Sequence, residues 1–218
     1  MRMDWSAVTN NVDTLVQGLL TTLALSSISI VLSIIFGTLL ALVRLSNVTF
    51  VEAAISAYVE LLRNTPLLIT LYLIYFGLPL VGIAIPPFTS AVLALVMQHT
   101  AFISEIIRGG ILSVPRAQVE AGRAMGMTPL KTFGIVILPQ AFSAALPSLV
   151  GAIVILLQDT SLGAAIAEVD LTMAAKVISQ RTATSFEPFI AIAALYFALA
   201  WLISQAGRMV EARYKIAR

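Results

Sequence analysis

The chain has no cysteine and very few charges. The absence of cysteine excludes disulfide bonds, thiolate metal sites and cysteine nucleophiles. Only 11% of the 218 residues are charged, against about 25% in a typical soluble domain, and 59% are hydrophobic. A net charge of +2 excludes a nucleic-acid-binding surface, which needs clustered Lys and Arg. No Gly-Lys pair occurs, which excludes a P-loop. The composition predicts a protein with several membrane-spanning helices.

Charge-free stretches divide the chain into candidate spans. A bilayer core needs about 20 apolar residues per helix. The stretch from Asn64 to Ser104 is long enough for two helices, separated by a turn rich in Gly and Pro. The sequence therefore predicts an all-α, polytopic membrane bundle that forms a single domain over residues 1–218. The predicted spans cover residues 14–43, 56–78, 88–110, 132–158 and 188–207.

The basic residues predict how this bundle is oriented. Most of the thirteen Lys and Arg residues lie at one set of helix ends, which the positive-inside rule places in the cytosol. The N-terminus is then outside and the C-terminus is in the cytosol. Two connections are long, an inner one near 110–131 and an outer one near 158–187. The outer one either docks a partner or forms a plain amphipathic lid.

The inner connection has the pattern of a short helix over 115–126. Pro115 suits its start, and Gly126 suits its C-terminal cap. One face carries small residues at helical spacing, namely Ala117, Ala121 and Ala124. Such a face fits a groove on a partner protein, and the alternative is a solvated connector helix.

The same stretch resembles the EAA loop of ABC-importer permeases. The family pattern is Glu-Ala-Ala-x3-Gly-x9-Ile-x-Leu-Pro, and this chain has Gly122 for the second Ala and Val136 for Ile. The residues that match the pattern are Glu120, Ala121, Gly126, Leu138 and Pro139.

Four further segments resemble the branch of that family that imports polar amino acids such as histidine, glutamine, arginine and glutamate. The resemblance covers about residues 14–207, and Asn64 stands where the family usually has Gly. The segments are Gly18–Leu23 with Gly37, Tyr58–Leu68, Ser104–Gly110 and Asp159–Leu162.

This resemblance implies the type I ABC importer permease fold, multi-pass in the bacterial cytoplasmic (inner) membrane. Two permease subunits, identical or related, would form one pathway in contact with membrane lipid. Two cytosolic ATPase subunits would dock on the EAA loops, and a periplasmic or lipid-anchored binding protein would deliver a polar amino acid. The chain would be no enzyme and would bind no cofactor, because ATP and Mg²⁺ belong to the ATPase. The residues expected to couple ATPase closure to transport are Glu120, Ala121, Gly122, Arg123 and Gly126.

Polar residues at membrane depth are costly unless they are used, so they are candidates for the substrate path. Asp159 is a plausible partner for a substrate ammonium group, or else a helix-end residue at the outer interface. His99 and its neighbours would bind the carboxylate or the side chain, or else form hydrogen bonds between helices. The candidates are Gln98, His99 and Thr100 in the third span, and Gln158, Asp159, Thr160 and Ser161 at the end of the fourth.

Two pairs of charges near the inner ends of spans have the spacing of helical ion pairs. They are Glu60 with Arg63 and Glu105 with Arg108, and they either aid orientation or form part of a gate. Pro66, Pro139 and Pro147 are expected to kink their helices. A single histidine and no cysteine predict neither a metal site nor a catalytic centre.

Three other functions are compatible with a chain of this composition. The first is an ABC permease for another small solute. Only the resemblance of the first two spans favours an amino-acid permease over it. A small secondary transporter would usually show internal repeats and more spans. A membrane-embedded enzyme would need several convergent titratable groups, and one His with one Asp is a poor set.

Overall fold

The computed structural model describes residues 5–45, 49–184 and 186–214. These ranges are helical and contain no β-strand, so the predicted all-α fold is confirmed for them. The predicted domain boundaries at residues 1 and 218 lie outside them. The helices are α1 (Ser6–Thr9), α2 (Val12–Arg44), α3 (Thr49–Arg63), α4 (Leu67–Tyr72), α5 (Pro87–Leu112), α6 (Arg116–Ala124), α7 (Pro129–Thr132), α8 (Leu138–Asp159), α9 (Leu171–Thr182) and α10 (Glu187–Tyr214).

Four helical stretches are long and apolar enough to cross a membrane. Helices α2 and α5 match the predicted first and third spans closely. The fourth stretch, Pro129–Ile166, runs beyond the predicted 132–158, and α10 continues seven residues past the predicted end at 207. Together with one bent helix pair, the described residues form four spans or five.

The second predicted span is not one helix over 56–78. It consists of α3 and the segment Leu67–Val81, which meet at an angle of 103°. Pro66 causes the break, because proline lacks a backbone N–H and disfavours helical geometry in the residue before it. The kink predicted at this proline is therefore confirmed, and it is sharp enough to give the two halves different directions.

Two π-helical turns, Leu73–Gly77 and Phe133–Ile137, widen the helix near Pro79 and Pro139. In a regular α-helix the proline ring would clash with the carbonyl of the residue four positions earlier. That residue is Tyr75 for the first proline and Ile135 for the second, and each lies inside a π-helical turn. The wider turn relieves this clash.

Helix α2 packs closely along α5 because its inward face carries small residues. Gly37 leaves so little room that a Cβ atom there would lie 2.7 Å from Cγ2 of Ile103. Small residues at helix interfaces let backbones approach, which favours association in lipid, where no hydrophobic force joins helices. The buried small residues of α2 are Gly18, Thr22, Ser26, Ser29, Ser33, Gly37 and Ala41.

Helix α9 covers one end of the bundle. Its apolar face, with Leu171, Ala174 and Ile178, packs in one core with Leu15 of α2 and Ile192 of α10. The connection 158–187 therefore forms a packed cap at this end.

Asp170 immediately precedes α9 and is fully buried. Its Oδ1 accepts a hydrogen bond of 2.8 Å from the backbone N–H of Met173, as an N-cap residue does. The hydroxyl oxygen of Thr22 accepts a bond of 3.1 Å from the N–H of Leu171, which ties the start of α9 to α2.

Candidate functional site

The third and fourth spans are joined at their polar positions by one side-chain pair. Nε2 of His99, in the middle of α5, lies 3.0 Å from Oδ2 of Asp159, the last residue of α8. A carboxylate can only accept, so the imidazole N–H donates. The His99 side chain is 3% exposed and that of Asp159 is 32% exposed. The imidazole therefore binds one oxygen of the carboxylate, and the rest of the Asp159 side chain is partly exposed.

Asp159 opens into a cavity of about 500 Å³ between the bent span, α5 and α8. Such a volume lies within the roughly 300–1,000 Å³ that is typical of small-molecule sites. The wall is mostly apolar, with Leu68, Phe102 and Ile155 among its members. Its polar side chains are Gln98, His99, Ser148 and Asp159. A carboxylate in such a wall attracts a cationic group strongly, because the surroundings screen charge weakly.

Gln98 connects the cavity to the break in the second span. Its Nε2 donates a 3.0 Å hydrogen bond to the carbonyl of Thr65, which lies in the bend between α3 and α4. Carbonyls at a helix break have lost their helical partner, and this amide supplies one. The bend therefore lies opposite the middle of α5, where His99 is found.

The other predicted path residues lie elsewhere. Thr100 lines a separate apolar pocket with Phe36 and Tyr58, because it follows His99 by about 100° around the helix. Thr160 is buried and donates to the carbonyl of Leu157 at 2.7 Å. Gln158 is exposed and Ser161 is half-buried, and neither lines the cavity. Of the seven candidates, the cavity brings together Gln98, His99 and Asp159.

A charged cluster joins α2 to the end of α5. Nη2 of Arg108 donates to Oε2 of Glu105 at 2.8 Å, so this predicted ion pair is confirmed. Arg44, at the end of α2, also donates to Glu105. Helical spacing does not reveal the contact of Arg44, because Arg44 lies 61 positions from Glu105 in the sequence.

The other predicted ion pair is wrong. In the described part of the chain Arg63 forms no ion pair with Glu60. Its guanidinium lies instead over the ring of Phe102, 5.6 Å from the centroid. Arg63 is the last residue of α3, so it lies at the bend rather than at the inner end of a span.

Helix α6 has the C-terminal cap that its sequence predicts. Gly126 has φ +77°, the left-handed conformation that glycine adopts without strain. The N–H of Met127 donates to the carbonyl of Gly122, and the N–H of Gly126 donates to that of Arg123. These two bonds form a Schellman motif.

The structure also explains the departure from the EAA pattern at Gly122. A Cβ atom at this position would lie 3.2 Å from Cγ2 of Thr132, on α7. This contact is tighter than usual, so glycine lets α6 lie close to the start of the fourth span. Gln118 is hydrogen-bonded to Gln140 of α8, which is a second link to the same span.

The rest of α6 is exposed. Glu120 and Arg123 lie on the surface, and so does the face with Ala117, Ala121 and Ala124. Within the described residues Glu120 has neither a hydrogen bond nor an ion pair. The helix is thus anchored on one side by Gly122 and Gln118 and is free on the other.

Comparison with known proteins identifies the chain. Residues 29–216 match the family model described as "Binding-protein-dependent transport system inner membrane component". A probable glutamine ABC transporter permease of Bacillus subtilis is 36% identical over 200 residues, which are 90% of this chain and 92% of that protein. An L-cystine transport system permease of the same organism is 39% identical over 84% of this chain and 80% of its own length.

A solved structure agrees with these relatives. The crystal structure of an amino acid ABC transporter with histidines contains a chain that superposes with a TM-score of 0.92. It is 36% identical, and the match covers 98% of this chain and all of that one. The chain therefore belongs to the family of inner-membrane components of binding-protein-dependent transport systems, the permeases of ABC importers.

Proposed function

We propose that this permease carries a polar amino acid through the cavity that holds His99 and Asp159. The observation that carries the proposal is the partly exposed carboxylate of Asp159 in an apolar wall. Every amino acid has an ammonium group, which a carboxylate binds through charge-assisted hydrogen bonds. His99 keeps Asp159 oriented toward the cavity. The printed names of the relatives, which refer to glutamine and cystine, support this substrate class.

The ATPase of the importer docks, on this proposal, against the exposed face of α6. The helix has small residues and the charged Glu120 and Arg123 free for a partner. It lies in the chain between α5, which carries His99, and α8, which ends at Asp159. A shift of α6 therefore acts on both members of the pair, because α5 precedes α6 and the helical stretch Pro129–Ile166, which contains α8, follows it. This is the coupling of two sites through an element with two positions.

The remaining features of the assembly follow the same proposal. The chain crosses the bacterial cytoplasmic membrane five times, with the broken pair α3 and α4 as one crossing and the end with α6 in the cytosol. A second permease subunit completes the pathway, and an external binding protein delivers the substrate to the end covered by α9. ATP and Mg²⁺ are bound by the ATPase and not by this chain.

Uptake by reconstituted vesicles tests the proposal. The permease is purified with the ATPase that co-purifies with it and is combined with its binding protein. Labelled histidine, glutamine, arginine and glutamate are offered, with methionine and phosphate as solutes of other classes. We expect ATP-dependent uptake of at least one polar amino acid. Uptake of methionine or phosphate alone, or uptake that needs no ATP, would contradict the proposal.

A further inference from the structure

Arg63 is exposed and lies beside the cavity, next to the middle of α5. It ends α3 two residues before Thr65, whose carbonyl accepts the hydrogen bond from Gln98 in the middle of α5. Its guanidinium lies over Phe102, which lines the cavity wall. The bend of the second span thus places the positive charge of Arg63 beside the middle of α5, where His99 binds the negatively charged Asp159.

This charge has no anion to balance it in the described part of the chain. Glu60 is one turn away on α3 but does not pair with it. An arginine inside a membrane is costly, and such residues almost always face a water-filled path or an anionic partner. The exposed guanidinium contacts the face of Phe102, which attracts a cation but carries no negative charge to pair with it. The guanidinium is therefore available to an anion that the described residues do not supply.

The two charges flank one turn of α5. His99 and Phe102 are three residues apart on the same helix face, and their ring centroids are 6.2 Å apart. Asp159 contacts the first ring and Arg63 the second. One helical turn rises about 5.4 Å. A small zwitterion, whose ammonium and carboxylate are joined through a single carbon atom, is of a size to bridge such a spacing.

We propose that Arg63 binds the α-carboxylate of the substrate while Asp159 binds its ammonium group. The inference rests on the proposed function and adds the second half of the recognition. The planar guanidinium presents two parallel N–H groups that match a carboxylate. Arg63 reaches the substrate by turning its long side chain off the ring of Phe102. A cavity that binds both the ammonium and the carboxylate group selects amino acids over amines that lack the carboxylate.

Direct ligand binding to the purified permease–ATPase complex, without the binding protein, tests this assignment. The probes are three amino acids, each with its decarboxylated counterpart: L-histidine with histamine, L-arginine with agmatine, and L-glutamine with 4-aminobutanamide. Wild type is compared with Arg63→Gln, Arg63→Lys and Asp159→Asn. Arg181→Gln, an exposed arginine on α9, serves as the control.

For wild type we expect tighter binding of the amino acid than of its amine. Arg63→Gln should weaken the amino acid about tenfold or more and leave the amine unchanged, since only the amino acid loses a charge-assisted bond. Arg63→Lys keeps the positive charge but loses the two parallel N–H groups of the guanidinium, so it should show the same selective loss to a smaller extent. It also provides the comparison if the Gln variant does not assemble. Asp159→Asn should weaken both ligands.

Two results distinguish failure of this inference from failure of the proposed function. If Arg63→Gln and Arg63→Lys weaken amino acid and amine equally, or change neither, Arg63 does not bind the carboxylate and this inference is wrong. If wild type binds none of the three amino acids, the proposed function itself fails.

Discussion

Helix α6 and the cavity of His99 and Asp159, to which we assign ATPase coupling and substrate binding, are built in opposite ways. Nearly every residue of α6 is exposed, and its pattern is complete within a dozen consecutive positions. The cavity joins residues from three segments, and its central pair is 60 residues apart. An exposed helix needs a partner to act, whereas the cavity is formed by this chain's own packing. Substitutions on the exposed face of α6 should therefore affect function alone, and those around the cavity should also affect stability.

The largest effect is expected from Glu120→Arg. Glu120 is exposed and without a partner in the described residues, so the free energy of unfolding should change by no more than about 0.5 kcal/mol. Uptake should be lost almost completely while ATP hydrolysis continues, because the ATPase no longer moves the spans. Vesicle uptake and ATPase rates measure this, with Gln180→Arg on α9 as an exposed control. Normal uptake by Glu120→Arg with the ATPase bound would refute the coupling role.

Asp159→Asn is expected to lower substrate affinity about tenfold or more, since hydrogen bonds to charged groups contribute about 1.5–3 kcal/mol. The amide keeps the shape of the side chain but loses the charge that an ammonium group requires. Equilibrium binding of the transported amino acid measures the loss. Asp13→Asn, which removes an exposed carboxylate from the first turn of α2, should bind normally. Unchanged affinity in Asp159→Asn would exclude the ammonium role.

Neighbouring glycines on α5 test the packing between the two regions. A Cβ atom at Gly110 would lie 2.7 Å from the carbonyl oxygen of Ala141 on α8, whereas Gly109 has open space around it. Gly110→Ala should therefore destabilise the protein by about 1–3 kcal/mol through overpacking. Gly109→Ala should be neutral or stabilising by up to about 1 kcal/mol. Thermal unfolding in detergent compares them, and equal effects would show that α5 and α8 are not packed this closely.

The smallest effect concerns Asp170, which lies outside both regions. Burial raises the pKa of its carboxyl from 3.8 to about 7, although the Met173 N–H and Lys176 oppose the shift. Glu168 adds to the increase, and Tyr196 of α10 is a further titratable neighbour. Between about pH 4 and pH 7 the folded state keeps a proton that the unfolded state releases, so stability falls as the pH rises through this window.

The measurement is the thermal midpoint of wild type and Asp170→Asn at pH 5 and pH 8. Wild type should be more stable at pH 5, and the difference should be smaller in the Asn variant, whose side chain does not titrate. A wild-type midpoint that is higher at pH 8 would show that Asp170 is charged in the folded protein.

Prediction from sequence was most successful where the signal is local. The helix expected over 115–126 is Arg116–Ala124, and Gly126 closes it, because proline and glycine act on the backbone of their own neighbourhood. The first and third spans were found for a similar reason, since hydrophobic length alone selects them. The helix expected over 56–78 failed because hydropathy continues through Pro66 while the backbone does not.

The sequence by itself determined that this protein is a helical membrane bundle with a short helix between two of its spans, since composition, hydropathy and helix signals act over neighbouring residues. Only the tertiary structure decided which polar residues meet. Gln98 and His99 face the cavity while Thr100 faces away, because each residue turns the helix by about 100°. Arg63 stands by Phe102 and not by Glu60, and Arg44 reaches Glu105, because helix packing and one sharp bend set these distances. Side chains far apart in the chain are brought together by the packing of small residues on α2, α5 and α8, and that packing depends on the whole bundle.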